Sequence, residues 1–260
     1  MSGKRGLVMG VANDHSIAWG IAKALAGEGA ELAFTFQSDA LGKRVAPLAK
    51  AVGAAHVLPC DVEDLASVDV VFSALGAAWG SLDFLVHCIG FSDRNELKGR
   101  YADTSRENFI RTMVISAFSF TEIAKRAASL MPSGGAMLTL TFGGATRVVP
   151  NYNVMGVAKA ALEASVRYLA ADFGPENIRV NAISAGPIRT LAGAGIADAR
   201  FMFNFQRAHS PLRRTVTIEN VGGAALYLLS SLSDGVTGEV HFVDAGYNIV
   251  SMPHPDEIKS

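Results

Sequence analysis

Cysteine is scarce in this 260-residue chain: Cys60 and Cys88 are the only two, and neither belongs to a CxxC pair or a ligand-spaced cluster. That argues against a disulfide framework and leaves two reduced thiols at the ends of apolar runs. The six histidines show neither HxH nor HxxxH spacing, so no metal site is expected. An excess of one charge is missing too. With 23 basic and 24 acidic residues the net charge is -1, which offers no electrostatic footing for nucleic acid or an anionic membrane surface. No apolar run reaches membrane-spanning length, and the opening "MSGKRGLVMG" has no basic leader with an apolar core behind it, so a cytoplasmic protein is expected. Repeats, low-complexity tracts and linkers are also absent, and residues 1–260 are expected to form one domain.

What the chain has in quantity is apolar residues. They make up half of it, against 18% charged, which is enough for a sheet buried on both faces. The runs "RGLVMG", "AELAFTF", "AHVLPCD", "LDFLVHCIG", "GAMLTLTF", "IRVNAISAG" and "GEVHFVDAG" read as seven strands, separated by alanine-rich segments of helical period. This alternation predicts a single-domain α/β fold, Rossmann-like and doubly wound, with a seven-stranded parallel sheet and helices on both faces. Two segments break the rhythm, residues 91–105 and 186–216. Each follows a strand whose carboxyl end should face a ligand, which makes them pocket candidates, with a lid expected at about 190–210. Phe201, Met202, Phe203 and Phe205 in the second segment suit either a lid or ordinary helix core. The polar, proline-broken end "SMPHPDEIKS" reads as a mobile tail.

The first strand opens into "GVANDHSIAWGIAKAL", with Gly10 at the turn, Ser16 as the expected N-cap and Gly20 inside the helix. A tight turn that delivers a helix N-terminus favours a phosphate, through free N–H groups and the helix dipole. The spacing departs from GxGxxG, and a plain β-α turn would also need its glycine. Further strand endings add weight. Gln37 follows the second strand where an acidic residue often meets the cofactor ribose, Asp61 and Val62 follow the third, where Asp61 can take the adenine amino group, and Ile89 and Gly90 end the fourth. A neutral Gln37 with Asp39 nearby points to NADH, although Lys43 and Arg44 could serve a phosphate.

Taken with "HCIGF", "NYNVMGVAKAALEA" and "IRVNAISAGPIRTLA", these motifs resemble the bacterial enoyl-acyl carrier protein reductases of the short-chain dehydrogenase/reductase superfamily, over nearly the whole chain. The resemblance implies NADH-dependent reduction of a trans-2-enoyl thioester on acyl carrier protein, usually by a homotetramer. It also implies site residues. Tyr152 and Lys159 would be catalytic. Gly10, Ser16, Ile17, Gln37, Asp61, Val62, Ile89, Gly90, Lys159, Ile188 and Thr190 would bind the cofactor, and Ser92, Phe142, Met155, Ala192, Ile196 and Met202 the substrate.

Ordinary members of the superfamily carry Tyr-x3-Lys, whereas here Tyr152 and Lys159 stand seven positions apart. The chemistry accounts for the difference. In ketone reduction the hydride lands on the carbon bearing the oxygen. In conjugate reduction it lands on Cβ while charge develops on the thioester oxygen, further along the conjugated system. A helix would place the two side chains on nearly one face with an offset of ~10 Å, against ~6 Å for four steps. Tyr152 would donate a hydrogen bond to the developing enolate oxygen, and Lys159 would hold the nicotinamide ribose. The Cα proton would come from solvent or through a relay. Met155 suits the acyl pocket or the core.

Two departures from the family stand out. Where it often has a second tyrosine, ten positions before the first, this chain has Phe142, which keeps the ring and loses the donor. On the segment that meets the acidic carrier protein only Arg200 and Arg207 remain of the family's basic cluster. The alternatives are a carbonyl reductase of the same superfamily and a non-catalytic NAD-binding sensor; Tyr-x6-Lys separates the first, and the presence of both residues counts against the second.

Overall fold

Each apolar run becomes a strand: β1 (Arg5–Met9), β2 (Glu31–Phe36), β3 (His56–Pro59), β4 (Phe84–His87), β5 (Gly135–Thr141), β6 (Ile178–Ala185) and β7 (Val240–Val243). The structure is a computed structural model and describes residues 1–190 and 199–252. The seven strands form one parallel sheet in the order β3-β2-β1-β4-β5-β6-β7, with the chain reversing direction across the sheet between β1 and β4. This is the expected doubly wound arrangement, and a cleft is due at the carboxyl ends beside that reversal.

Successive side chains on a strand point to opposite faces, so both faces must be covered. On one face Leu7, Met9, Leu85, Met137 and Val180 pack with α3 (Leu65–Trp79), α5 (Ser119–Ser129) and α6 (Asn153–Phe173). On the other, Val8, Phe34, Phe84, Val86 and Leu138 pack with α1 (Ile17–Gly27), α2 (Asp39–Ala51) and α8 (Ile218–Leu229). Helix starts carry polar caps: Asp64 accepts from Ala66 N–H, Ser105 opens α4 (Arg106–Met113) by accepting from Asn108 N–H, and Thr217 and Asn220 form a capping box. Helix α7 (Ala199–His209) lies in the second irregular segment. Its aromatic residues are not plain core, since Phe201 is 65% exposed.

Between α4 and α5 the chain makes a π-turn, Val114–Phe118. Beside it lies the fully buried His87, with Nδ1 3.1 Å from Thr139 Oγ1 and Nε2 3.0 Å from Ser119 Oγ. Burial, helped by the Lys159 ammonium, pushes its pKa down to about 3, so the ring is a neutral packing element. Among the described residues no helix is long and apolar enough to cross a membrane, and no group of three or more His, Cys, Asp and Glu could hold a metal ion.

Candidate active site and cofactor cleft

The carboxyl ends of β1 to β5 open on a cleft of about 490 Å³. Gly10, Ser16, Ile17, Gln37, Asp61, Val62, Ile89, Gly90 and Thr190 all line it. They converge because most sit within a few residues of a strand end in one sheet, and Ser16 and Ile17 sit at the start of the helix that follows β1. Gly10 has φ 93, and a Cβ there would lie 2.1 Å from Cys88 O, so only glycine lets the first turn pass over β4. Ser16 stands at the N-cap position of α1 but makes no side-chain cap bond. Its Oγ instead accepts from Ala12 N–H at 3.0 Å and Asn13 N–H at 3.1 Å, closing the turn in front of the helix. The expected N-cap role therefore gives way to a turn-closing one.

Gln37 Nε2 donates to Asp61 Oδ2 at 3.2 Å, which joins the ends of β2 and β3. Asp61 is fixed further by accepting from Glu63 N–H, while its own N–H donates to Ser67 Oγ. A neutral amide and a carboxylate side by side welcome ribose hydroxyls and oppose a phosphate. The lining also includes Arg111, which clasps Glu63 with two hydrogen bonds of 2.9 and 2.8 Å and lies over the Phe91 ring at 4.6 Å. These features fit an adenosine dinucleotide: a glycine turn at a helix start, a ribose-facing amide-carboxylate pair, and a glycine at the far end.

Lys159 and Ile188 do not line this cleft. Lys159 is 7% exposed and donates from Nζ to Leu140 O at 2.8 Å. A Cβ placed on Gly90 would lie 3.6 Å from Met155 Cε and 3.8 Å from both Lys159 Nζ and Ser116 Oγ, so the lysine stands directly behind the glycine wall. Burial lowers its pKa to about 8, against the upward pull of Cys88 and Glu163. Cys88 is pushed up to about 12 and Cys60 to about 11, mainly by burial, so neither thiol is a ready nucleophile. Ile188 lines a neighbouring cleft of about 380 Å³, together with His15, Arg207 and the start of α8.

Tyr152 is the residue before α6, with φ -101 and ψ -29. The two catalytic candidates are therefore not seven regular helical steps apart; helix begins only at Asn153, and six steps, about 9 Å of rise, separate Asn153 from Lys159. The Tyr152 ring meets Phe142 edge-on, with centroids 5.0 Å apart at 68°. A Cβ on Gly144 would come within 2.4 Å of Tyr152 Cδ1, so the turn after β5 can close on the ring only as glycine. Burial, and the Glu163 carboxylate behind it, raise the phenol's pKa, which keeps the hydroxyl protonated as a donor.

The substrate candidates fare unevenly. Phe142 and Met155 flank Tyr152 and Gly90. Ser92 is buried, and its hydroxyl is taken, donating to Asn108 Oδ1 and accepting from Thr112 Oγ1, so the hydroxyl is engaged in holding the chain. Met202 is half-buried on α7. Ala192 and Ile196, with residues 191–198 of the expected lid and the last residues of the tail, lie outside the described residues. Ser116, Asn153 and Arg111 are site neighbours that the motifs did not flag. For Asn153 a signal existed: asparagine on both sides of a tyrosine is the residue type that tolerates a left-handed backbone.

The family profile described as enoyl-(acyl carrier protein) reductase matches residues 10–248. The chain is 75% identical to enoyl-acyl-carrier-protein reductase (NADH) 2 of Rhizobium meliloti, over 97% of this chain and 94% of that protein. It is 64% identical to reductase (NADH) 1 of the same organism, over 98% and 94%. A crystal structure of FabI from Candidatus Liberibacter asiaticus superposes with a TM-score of 0.96 at 61% identity, covering 97% of this chain and 98% of that one. The reductase of Anaplasma phagocytophilum, crystallised in complex with NAD, gives 0.95 at 58% identity, over 98% and 97%.

Proposed function

The chain belongs to the NADH-dependent enoyl-acyl carrier protein reductases of the short-chain dehydrogenase/reductase superfamily, and we propose that Tyr152 and Lys159 divide its work. The enzyme reduces the trans-2 double bond of enoyl thioesters in fatty-acid elongation. NADH, when bound, supplies the hydride. The observation that carries the division of labour is that Lys159 is buried behind the Gly90 wall of the cleft, whereas Tyr152 stands ahead of α6 with a protonated hydroxyl.

Lys159 holds the nicotinamide ribose from behind, its ammonium steadied by Leu140 O. Tyr152 donates a hydrogen bond to the thioester oxygen as negative charge builds there, and Phe142 keeps the ring upright without sharing the contact. Gly10, Ser16, Ile17, Gln37, Asp61, Val62, Ile89, Gly90 and Thr190 seat the dinucleotide, and Met155 borders the acyl chain. Carrier protein docks beside α7, where Arg200 and Arg207, two helical turns apart, face outward from one side. The reading extends to one catalytic domain, a lid at about 190–210, a homotetramer and a cytoplasmic setting.

The test is steady-state NADH oxidation with a trans-2-enoyl thioester beside an acetoacetyl thioester. Only the enoyl substrate should turn over efficiently. Tyr152→Phe should lose roughly 3 kcal/mol of transition-state stabilisation, about a hundredfold in kcat, while NADH titration stays unchanged. Lys159→Ala should lose NADH affinity and kcat together. Near-full enoyl reduction by Tyr152→Phe would assign the donor to another group.

A further inference from the structure

Tyr152 stands between two asparagines with left-handed backbones, φ 61 at Asn151 and φ 39 at Asn153. Asn153 is also the first residue of α6, where regular helix needs a negative φ. A conformation of this kind persists only where its surroundings hold it. The Asn153 side chain provides that hold. Its Nδ2 donates to Leu97 O at 3.0 Å and to Gly99 O at 3.2 Å, 56 and 54 positions earlier in the chain. Both partners are carbonyl oxygens, so only the NH2 end of the amide satisfies them and its orientation is settled chemically.

Those carbonyls belong to the irregular segment that leaves β4 past Gly90 and Phe91, with Leu97 buried at its turning point. The segment is held at its other end by Ser116, whose Oγ accepts from Phe91 N–H and donates to Phe91 O, both at 2.9 Å. Tyrosine has only two side-chain torsions, and the Phe142 edge and the Gly144 turn fence its ring. What remains to place the hydroxyl is the backbone at 151–153.

We propose that Asn153 is a positioning residue: it pins residues 97–99 across the start of α6 and so fixes the backbone that aims the Tyr152 hydroxyl at the thioester oxygen. The inference rests on the donor role of Tyr152 given above. Asn153→Gly keeps the backbone freedom and removes the anchor. Asn153→Asp keeps size and left-handed tolerance but turns a carboxylate toward two carbonyls.

Both variants should slow enoyl reduction by at least about tenfold, since small misplacements of a catalytic group are costly, while NADH affinity, titrated by nicotinamide fluorescence, stays within about twofold. The separating measurement is a cycle with Tyr152→Phe, in which Asn153→Gly should slow the enzyme less than about twofold further because the hydroxyl it places is already gone. A wild-type rate in Asn153→Gly beside a slow Tyr152→Phe overturns the anchor and leaves the donor standing. An equal loss in both backgrounds, or a parallel loss of NADH affinity, also overturns it. A wild-type rate in Tyr152→Phe alone removes the donor role and the anchor's purpose with it.

Discussion

The two sides of the Gly90 wall are built by different rules. On the cofactor side much of the lining sits at or just beyond a strand end: Gly10 after β1, Gln37 after β2, Asp61 after β3, Ile89 and Gly90 after β4. The sheet's hydrogen bonds hold these positions, and side chains add only local closures such as Ser16 over Ala12 and Asn13. Toward Tyr152 the chain between β4 and α4 is irregular, and single side-chain bonds reaching far along the sequence hold it. Ser116 grips Phe91, Asn108 and Thr112 grip Ser92, and Asn153 grips Leu97 and Gly99. A binding site that repeats on every turnover is thus fixed by backbone. The irregular chain toward Tyr152 is held by side chains, which can change one at a time.

The sharpest way to break this contrast is Gly10→Ala. The new Cβ would press on Cys88 O at 2.1 Å, in a backbone already at φ 93, and a strand end cannot retreat. The expected cost is roughly 2–5 kcal/mol from left-handed strain and overpacking together, with loss of NADH binding, measured by denaturant unfolding and NADH titration. Near-wild-type values for both would show the cofactor side to be as pliant as the acyl side.

A smaller effect is expected from pH. Lys159 loses its proton near pH 8 because burial disfavours the ammonium. Around it His87 lies at about 3 and Cys88 at about 12, and burial raises the Glu163 carboxyl above the usual carboxylate range. If the ammonium holds the ribose, the bound state favours the protonated lysine, so affinity is complete below pH 8 and falls as pH rises through it. NADH affinity should drop by up to about tenfold per pH unit above that point. Lys159→Arg, which stays charged, should flatten the slope. A flat profile in the parent enzyme would mean that Lys159 holds the cofactor by hydrogen bonding alone.

The same contrast explains what could be read from the sequence. Strand ends are marked locally, by an apolar run followed by glycine or a polar residue, so "CDV" and "CIG" led to Asp61 and Gly90 before any contact was known. Tyr152 and Lys159 are legible from their spacing, and so is the direction of their offset; its length is not, because the left-handed Asn151 and Asn153 keep Tyr152 ahead of the first regular turn. Ser92 shows the limit most plainly. A serine beside a substrate cleft suggests a ligand contact, and only the fold reveals that Asn108 and Thr112 have taken its hydroxyl. Ile188 lines the neighbouring cleft, which its place after β6 does not reveal.

Phe142→Tyr should have the smallest effect, and it tests the acyl side at its least constrained point. The Phe142 ring meets Tyr152 edge-on at 5.0 Å and is only half-buried, so a hydroxyl has room without repacking. It would add a donor next to Tyr152, the donor proposed for the thioester oxygen. A second hydrogen bond helps only if it strengthens as charge develops; otherwise it binds ground and transition states alike and leaves kcat where it was. Activity should therefore stay within about threefold, with any change appearing in KM for the enoyl thioester and not in kcat. A gain above about tenfold in kcat would mean that the oxygen site is set for two donors. In that event Tyr152 does not carry the contact alone, and the acyl side is less completely tuned by its side-chain anchors than its geometry implies.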